Sequence, residues 1–234
     1  MAVSEGFVHP EFLVDAAWVE AHLDDPDVIV VDTDVLQAYD RGHIPGASLV
    51  PDHYEKDPDT GRIYILPPHK FAALAESLGI GDDKLVIAYD NSRSLYAARL
   101  WWALNYYGHS KVKVLDGGWR RWIGEGRALS LGKAKEVGKV RFRPRPDRSR
   151  ISTLDELKEK HPLPGVVAWD VRTVEEYTGA NDRGNRRAGH IPGSIHLEWS
   201  TVMDPETHRF RPPEEIRRIL TEKGITPDRE VHSY

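Results

Sequence analysis

The sequence predicts two tandem α/β domains, each a mainly parallel sheet flanked by helices, with the second domain incomplete. A Gly-His-Ile-Pro-Gly motif occurs twice, at 42–46 and 189–193. Each motif follows an apolar run that ends in an aspartate, Asp32 or Asp170, and a tyrosine follows each aspartate by seven residues. Apolar runs also alternate with amphipathic segments, as parallel strands joined by helices require. Repetition of this kind indicates a duplicated domain.

The composition is typical of a soluble globular protein. Hydrophobic residues make up 40% and charged residues 29%, and no apolar run reaches the ~20 residues of a membrane span. The N-terminus lacks the basic and apolar regions of a signal peptide, which predicts a cytoplasmic location. A net charge of −5 gives no general attraction to nucleic acid, and the lack of cysteine excludes disulfides and thiolate metal sites. No metal is expected at Asp204, Glu206 and His208, whose spacing is irregular.

The first repeat contains strands and helices in alternation. Asp15 is the predicted N-cap of the first helix. Continuous apolar runs predict strands buried on both faces at 28–31 and 85–89, and further strands are predicted at 47–50 and 112–115. Helical spacing of apolar residues predicts helices at 35–39, 67–79 and 97–108, with a short helix around Trp119.

The second repeat follows the same order. Ser152 or Thr153 is the predicted cap of its first helix. Strands are predicted at 166–170, 195–199 and 231–234, and a helix at 212–224. The proline-containing basic segment 128–149 is predicted to be an interdomain linker, so the domains are placed at 1–127 and 150–234.

The order of these motifs resembles the tandem-domain rhodaneses, the thiosulfate/3-mercaptopyruvate sulfurtransferases. The paired pentapeptides and the run from Val114 to Trp119 (Val-Leu-Asp-Gly-Gly-Trp) carry the resemblance, which extends from about Val14 to Tyr234. It implies a silent N-terminal copy and a C-terminal copy with a cysteine that takes sulfane sulfur as a persulfide. The implied partners are a small anionic sulfur donor and a thiophilic acceptor such as cyanide, without nucleic acid, membrane or organic cofactor. We expect a monomer or weak dimer.

The cysteine that the resemblance implies has no counterpart among the 234 residues, which contain none. Alignment of the two copies places Asp90 at the silent equivalent of the nucleophile, and the active position directly after Tyr234. We therefore expect a portion of a longer sulfurtransferase, with residues 1–234 inactive alone; a natural chain end at Tyr234 is the less favoured alternative. A cysteine between a strand end and a helix N-terminus would meet converging N–H groups that lower its pKa.

Arginines of the second copy are the candidate donor ligands. A nine-residue insertion, 179–187, occurs only there, and by resemblance its Arg183 and Arg187 match basic substrate contacts. Guanidinium groups suit thiosulfate or a carboxylate, although a solvated loop without ligand is the alternative. Arg172 is a third candidate, for which a structural ion pair with Glu176 is favoured. Thiosulfate-preferring relatives carry arginine at the position of Glu176, so the resemblance leaves the choice between thiosulfate and 3-mercaptopyruvate open.

The motif residues Asp32, His43, Asp170 and His190 are predicted to be structural. Because the silent copy keeps its histidine, each ring is expected to hydrogen-bond backbone and hold its loop.

Two rival functions stay open beside sulfur transfer: a non-catalytic rhodanese-like binding or regulatory module, and a phosphatase with a longer cysteine loop. The residues after Tyr234 would discriminate among the three.

Overall fold

The computed structural model describes two compact units. Residues 205–209 belong to the first unit, where Nε of Arg209 donates to Oδ2 of the buried Asp116 at 2.7 Å. The first unit is Met1–Arg148 with Pro205–Arg209, and the second is Ser149–Asp204 with Phe210–Tyr234. The structure describes residues 6–52, 54–56, 59, 65–132 and 137–234.

The first unit is built on a five-stranded parallel sheet in the order β1-β5-β4-β2-β3. Its central strands β2 and β4 pair along their whole length, from Val28 beside Leu85 to Asp32 beside Tyr89. Both are apolar runs without alternation, which suits strands covered on both faces. The strands are β1 Leu13–Val14, β2 Val28–Asp32, β3 Ser48–Leu49, β4 Leu85–Tyr89 and β5 Val112–Leu115.

Five helices accompany this sheet in the described part of the first unit. The Asp15 side chain accepts the N–H of Trp18 at 2.8 Å and so caps the first helix, as predicted. The core between helices and sheet includes the fully buried Trp122, Tyr89 and Ile44. The helices are α1 Ala16–Ala21, α2 Leu36–Arg41, α3 Pro68–Ser77, α4 Leu95–Tyr106 and α5 Gly118–Gly124.

The second unit repeats the beginning of this arrangement. Its sheet has three parallel strands in the order β7-β6-β8, with a small core around Val167, Leu197 and Ile225. The predicted α/β fold with mainly parallel sheets and flanking helices is confirmed in both units. The elements are α6 Leu154–Lys160, β6 Val166–Asp170, α7 Val174–Thr178, β7 Ile195–His196, α8 Pro213–Glu222 and β8 Glu230–Ser233.

The described part of the basic segment 128–149 is packed on the first unit. Phe142 is buried and its ring lies 5.7 Å from that of Phe71, while the N–H of Arg145 donates to the carbonyl of Tyr107 at 2.9 Å. Nowhere in the described ranges is a helix long and apolar enough to cross a membrane.

Candidate functional site

The carboxylate of Asp90 sits in a ring of backbone N–H groups at the carboxyl end of β4. Its side chain is buried, with 1% exposure of the residue. Oδ1 accepts the N–H groups of Ser92 and Ser94, each at 2.8 Å. Oδ2 accepts those of Tyr96 at 2.8 Å and Ala97 at 2.9 Å. The loop 91–97 therefore surrounds an anion, and that anion is the protein's own side chain.

The sequence after β4 forms this ring because two successive residues adopt left-handed backbone conformations. The φ angles are 57° for Arg93 and 65° for Ser94. The turn aims the N–H groups of Ser92 and Ser94 inward, and α4 begins directly afterwards with its positive dipole end toward the same point.

The Gly117-Gly118 pair packs closely against the strand end that carries Asp90. A Cβ on Gly118 would lie 2.1 Å from the carbonyl oxygen of Asp90, so only glycine permits this approach. The N–H of Trp119 donates to that same carbonyl at 2.9 Å. This close approach explains the glycine at 118 in the run from Val114 to Trp119, beside the strand end.

Three carboxyl groups of the first copy lie close together at this edge of the sheet. The N–H of Asp34 donates to Asp32 at 2.9 Å, and the N–H of Asn91 donates to Asp34 at 2.7 Å. Burial, reinforced by the charge of Asp90, raises the pKa of Asp32 to about 6. Burial and the charges of Asp32 and Asp90 also raise the pKa of Asp34 to about 6. The site of the first copy is therefore acidic and unfavourable for an external anion.

The second copy has an arginine where the first has Asp34. Arg172 binds the fully buried Asp170 in bidentate fashion, with Nε to Oδ1 at 2.9 Å and Nη2 to Oδ2 at 2.6 Å. Nη2 also donates to the carbonyl of Gly189 at 2.9 Å. Burial opposes ionisation of Asp170, but hydrogen bonds from Arg172 and Tyr234 outweigh it and lower the pKa of Asp170. The expected ion pair of Arg172 with Glu176 is wrong, because Arg172 precedes α7 and lies outside the helical spacing that would align the two side chains.

A tyrosine ends the strand beside the aspartate in both copies and binds the pentapeptide loop. The hydroxyl of Tyr89 accepts the N–H of Ile44 at 3.1 Å. In the second copy the hydroxyl of Tyr234 accepts the N–H of Ile191 at 3.0 Å and lies 2.8 Å from Oγ of Ser194. The repeated loop is therefore anchored to the strand end that precedes the site.

Each motif histidine hydrogen-bonds a backbone carbonyl and stacks on a tyrosine of its own copy. Nδ1 of His43 lies 3.0 Å from the carbonyl of Tyr39, and Nδ1 of His190 lies 2.8 Å from that of Tyr177. Each ring stacks on the same tyrosine, with centroids 3.6 Å apart in the first copy and 3.8 Å in the second. His43 is buried, whereas His190 is exposed.

The insertion 179–187 presents its arginines to solvent. The Arg183 side chain is 62% exposed and reaches back to Glu176, with Nε 3.2 Å from Oε1. Glu176 also completes the capping box of α7 with Thr173. Arg187 is exposed, and its guanidinium has no ion-pair partner in the described part of the chain. The roles of Arg172, Arg183 and Arg187 toward a donor stay predictions.

The sequence reasoning missed the acidic cluster of Asp32, Asp34 and Asp90. A signal was present, because Asp32 and Asp90 both follow buried strands and parallel strands bring their carboxyl ends to one edge. The pairing of β2 with β4 had to be known before the two could be placed side by side.

The fold and this edge define a class: α/β domains with an anion-holding loop between a central strand and the next helix. The rhodanese-like domain family matches residues 15–125 and 153–233, one match in each copy. The chain belongs to the rhodanese-like family.

Several named proteins match this chain over nearly its whole length. It is 35% identical to the sulfur carrier protein TtuD of Thermus thermophilus, covering 98% of this chain and 84% of that one. It is 34% identical to a putative thiosulfate sulfurtransferase SseA of Mycobacterium bovis, covering 97% and 78%. The crystal structure of SseA from Escherichia coli, described as a 3-mercaptopyruvate sulfotransferase, superposes with a TM-score of 0.86 at 25% identity, covering 95% and 87%.

Proposed function

We propose that this protein transfers sulfane sulfur from thiosulfate or 3-mercaptopyruvate to a thiophilic acceptor through a cysteine persulfide. The cysteine is assigned to the position directly after Tyr234, in the second copy. Relatives named thiosulfate sulfurtransferase, 3-mercaptopyruvate sulfotransferase and sulfur carrier protein support sulfur handling. Sulfur transfer through a persulfide needs a thiol, and residues 1–234 contain none.

The observation that carries this assignment is the matching register of the two copies. The N–H of Thr33 donates to the carbonyl of Tyr89 at 2.9 Å, and the N–H of Val171 donates to that of Tyr234 at 3.1 Å. Tyr234 thus occupies the place of Tyr89 beside its own strand aspartate. A residue that followed Tyr234 would have the place of Asp90, where the first copy encloses an anion.

The chemistry fits an anion-holding loop. In the first step the thiolate attacks the outer sulfur of thiosulfate, the S–S bond of the donor breaks, and sulfite leaves with the electron pair. In the second step cyanide or another thiophile attacks the outer persulfide sulfur and the cysteine thiolate is restored. Backbone N–H groups like those around Asp90 would stabilise both the thiolate and the persulfide anion.

Arg183 and Arg187 are proposed to bind the anionic donor, and Arg172 to contribute positive charge beside the strand end. Their support is the charge contrast between copies, since Asp34 stands in the first copy where Arg172 stands in the second. The Glu176–Arg183 ion pair keeps one guanidinium of the exposed insertion attached to α7.

A direct test uses a chain that continues past Tyr234 with cysteine at the next position. Thiocyanate formation from thiosulfate and cyanide is expected, with loss of activity when that cysteine becomes serine and none from residues 1–234. Arg183→Ala and Arg187→Ala should each lower kcat/KM about tenfold or more, because a charge-assisted hydrogen bond contributes roughly 1.5–3 kcal/mol. Arg186→Ala, in the same exposed loop, is the matched control. Thiocyanate formation that persists in the serine variant would contradict the proposal.

A non-catalytic rhodanese-like binding module is the second candidate. It is favoured by the first copy, which keeps the fold and loop but holds a carboxylate where a sulfur carrier needs a thiol. A residue other than cysteine after Tyr234 would select this alternative.

A further inference from the structure

We infer that the first copy contains a complete anion cradle, the backbone of residues 91–97, and that Asp90 fills it as a permanent internal ligand. This inference concerns the first unit alone and does not rest on the proposed function. It assigns the silent copy a formed anion site that is blocked, in contrast to a loop that has lost the ability to bind anions.

The geometry of the cradle is that of a bound carboxylate. Four N–H donors from Ser92, Ser94, Tyr96 and Ala97 are shared equally between two oxygens, all at 2.8–2.9 Å. An oxygen that carried a proton would direct that hydrogen toward an N–H donor. The four N–H donors therefore favour the ionised form of Asp90.

The ligand is held in place by its own backbone. The carbonyl of Asp90 accepts the N–H of Trp119 at 2.9 Å, and Gly118 leaves no room for the strand end to move toward α5. Because the carboxylate is covalently attached and 1% exposed, an external anion in solution cannot compete with it at ordinary concentrations.

The charged groups around Asp90 reinforce the block. Burial is the main cause of the raised pKa values of Asp32 on β2 and Asp34 after β2, and the charge of Asp90 adds to both, while Arg41 on α2 partly offsets the rise at Asp34. Burial also raises the pKa of Asp90, and the four N–H groups oppose that rise. An anion that approached the first copy would meet two further carboxyl groups, so a donor is directed away from this copy.

Removal of the ligand should open the site to a small carboxylate. Asp90→Gly deletes the carboxylate and its methylene, and formate is smaller than the lost group. Formate is expected to raise the Tm of Asp90→Gly in a saturable way by about 2–4 °C, the shift typical of modest stabilisation in a protein of this size. Sodium chloride at matched ionic strength should not reproduce the rise. Wild type and Asp83→Gly, an exposed aspartate in the same unit, should show no formate-specific rise.

An equal effect of formate on all three proteins, or none on a folded Asp90→Gly, would overturn the inference. A second measurement on the wild type covers the case in which Asp90→Gly does not fold. The amide protons of Ser92, Ser94, Tyr96 and Ala97 should shift together with a single midpoint as the pH is lowered and Asp90 gains a proton. Independent midpoints, or four amides that do not move, would also overturn it.

Discussion

The two copies place an aspartate at the same strand end and give it opposite electrostatic surroundings. In the first copy Asp32 has Asp34 two residues later, and burial raises its pKa to about 6. In the second copy Asp170 has Arg172 at that position, and the bidentate pair lowers its pKa. The backbone of a duplicated domain can therefore be kept while one substitution reverses the charge next to the site.

The largest expected effect comes from breaking the pair in the second copy. Arg172→Ala leaves the fully buried carboxylate of Asp170 without its cation, which should cost about 3–5 kcal/mol of unfolding free energy in this unit. Hydrogen exchange of the β6 amides measures it. Arg218→Ala removes an exposed pair with Glu222 and should cost below about 1 kcal/mol. Similar hydrogen-exchange protection of the β6 amides in Arg172→Ala and Arg218→Ala would show that the Asp170–Arg172 pair does not stabilise this edge of the sheet.

The next largest expected effect is a difference in stability loss between the two motif histidines, His43 and His190. His43→Ala deletes a buried, stacked and hydrogen-bonded ring, and should cost about 2–3 kcal/mol. His190 makes the same contacts but is exposed, so His190→Ala should cost about 1 kcal/mol. Urea unfolding followed by probes in each unit tests the order of the two losses, and a reversed order would contradict the burial difference.

The smallest expected effect is a gain of stability, in contrast to the losses predicted for the variants of Arg172, His43 and His190. The folded-state pKa of Asp32 lies near 6, above the unfolded value of about 3.9, so the ionised carboxyl destabilises the first unit above pH 6. Asp32→Asn should therefore raise stability by about 1–2 kcal/mol near pH 7.5. This advantage should fade as the pH falls from about 6 to about 4, where Asp32 is protonated in the unfolded state as well as in the folded state. Thermal unfolding of Asp32→Asn and wild type between about pH 4 and 7.5 measures this stability difference. A variant less stable than wild type near pH 7.5 would contradict the predicted gain.

The sequence predicted those features that depend on local pattern. The strands at 85–89 and 112–115 have the predicted bounds, and Asp15 caps its helix. The hydrogen bond of the His43 ring to a backbone carbonyl also agrees with the expectation from the sequence.

What could not be predicted depends on contacts between distant segments or on backbone direction. Arg172 was expected to pair with Glu176 by helical spacing, yet α7 begins only at Val174, so the guanidinium turns back to Asp170. The attachment of residues 205–209 to the first unit through Asp116 joins positions 93 residues apart. The four N–H groups around Asp90 require φ angles that side-chain patterns do not reveal.

The most direct test of the contrast is titration of the side-chain carboxyl carbons by NMR, assigned with Asp32→Asn and Asp170→Asn. The account predicts a midpoint near pH 6 for Asp32 and a midpoint below the ordinary aspartate value for Asp170. Midpoints on the same side of the ordinary value, or an Asp170 that titrates above Asp32, would contradict the reversal of charge between the two copies.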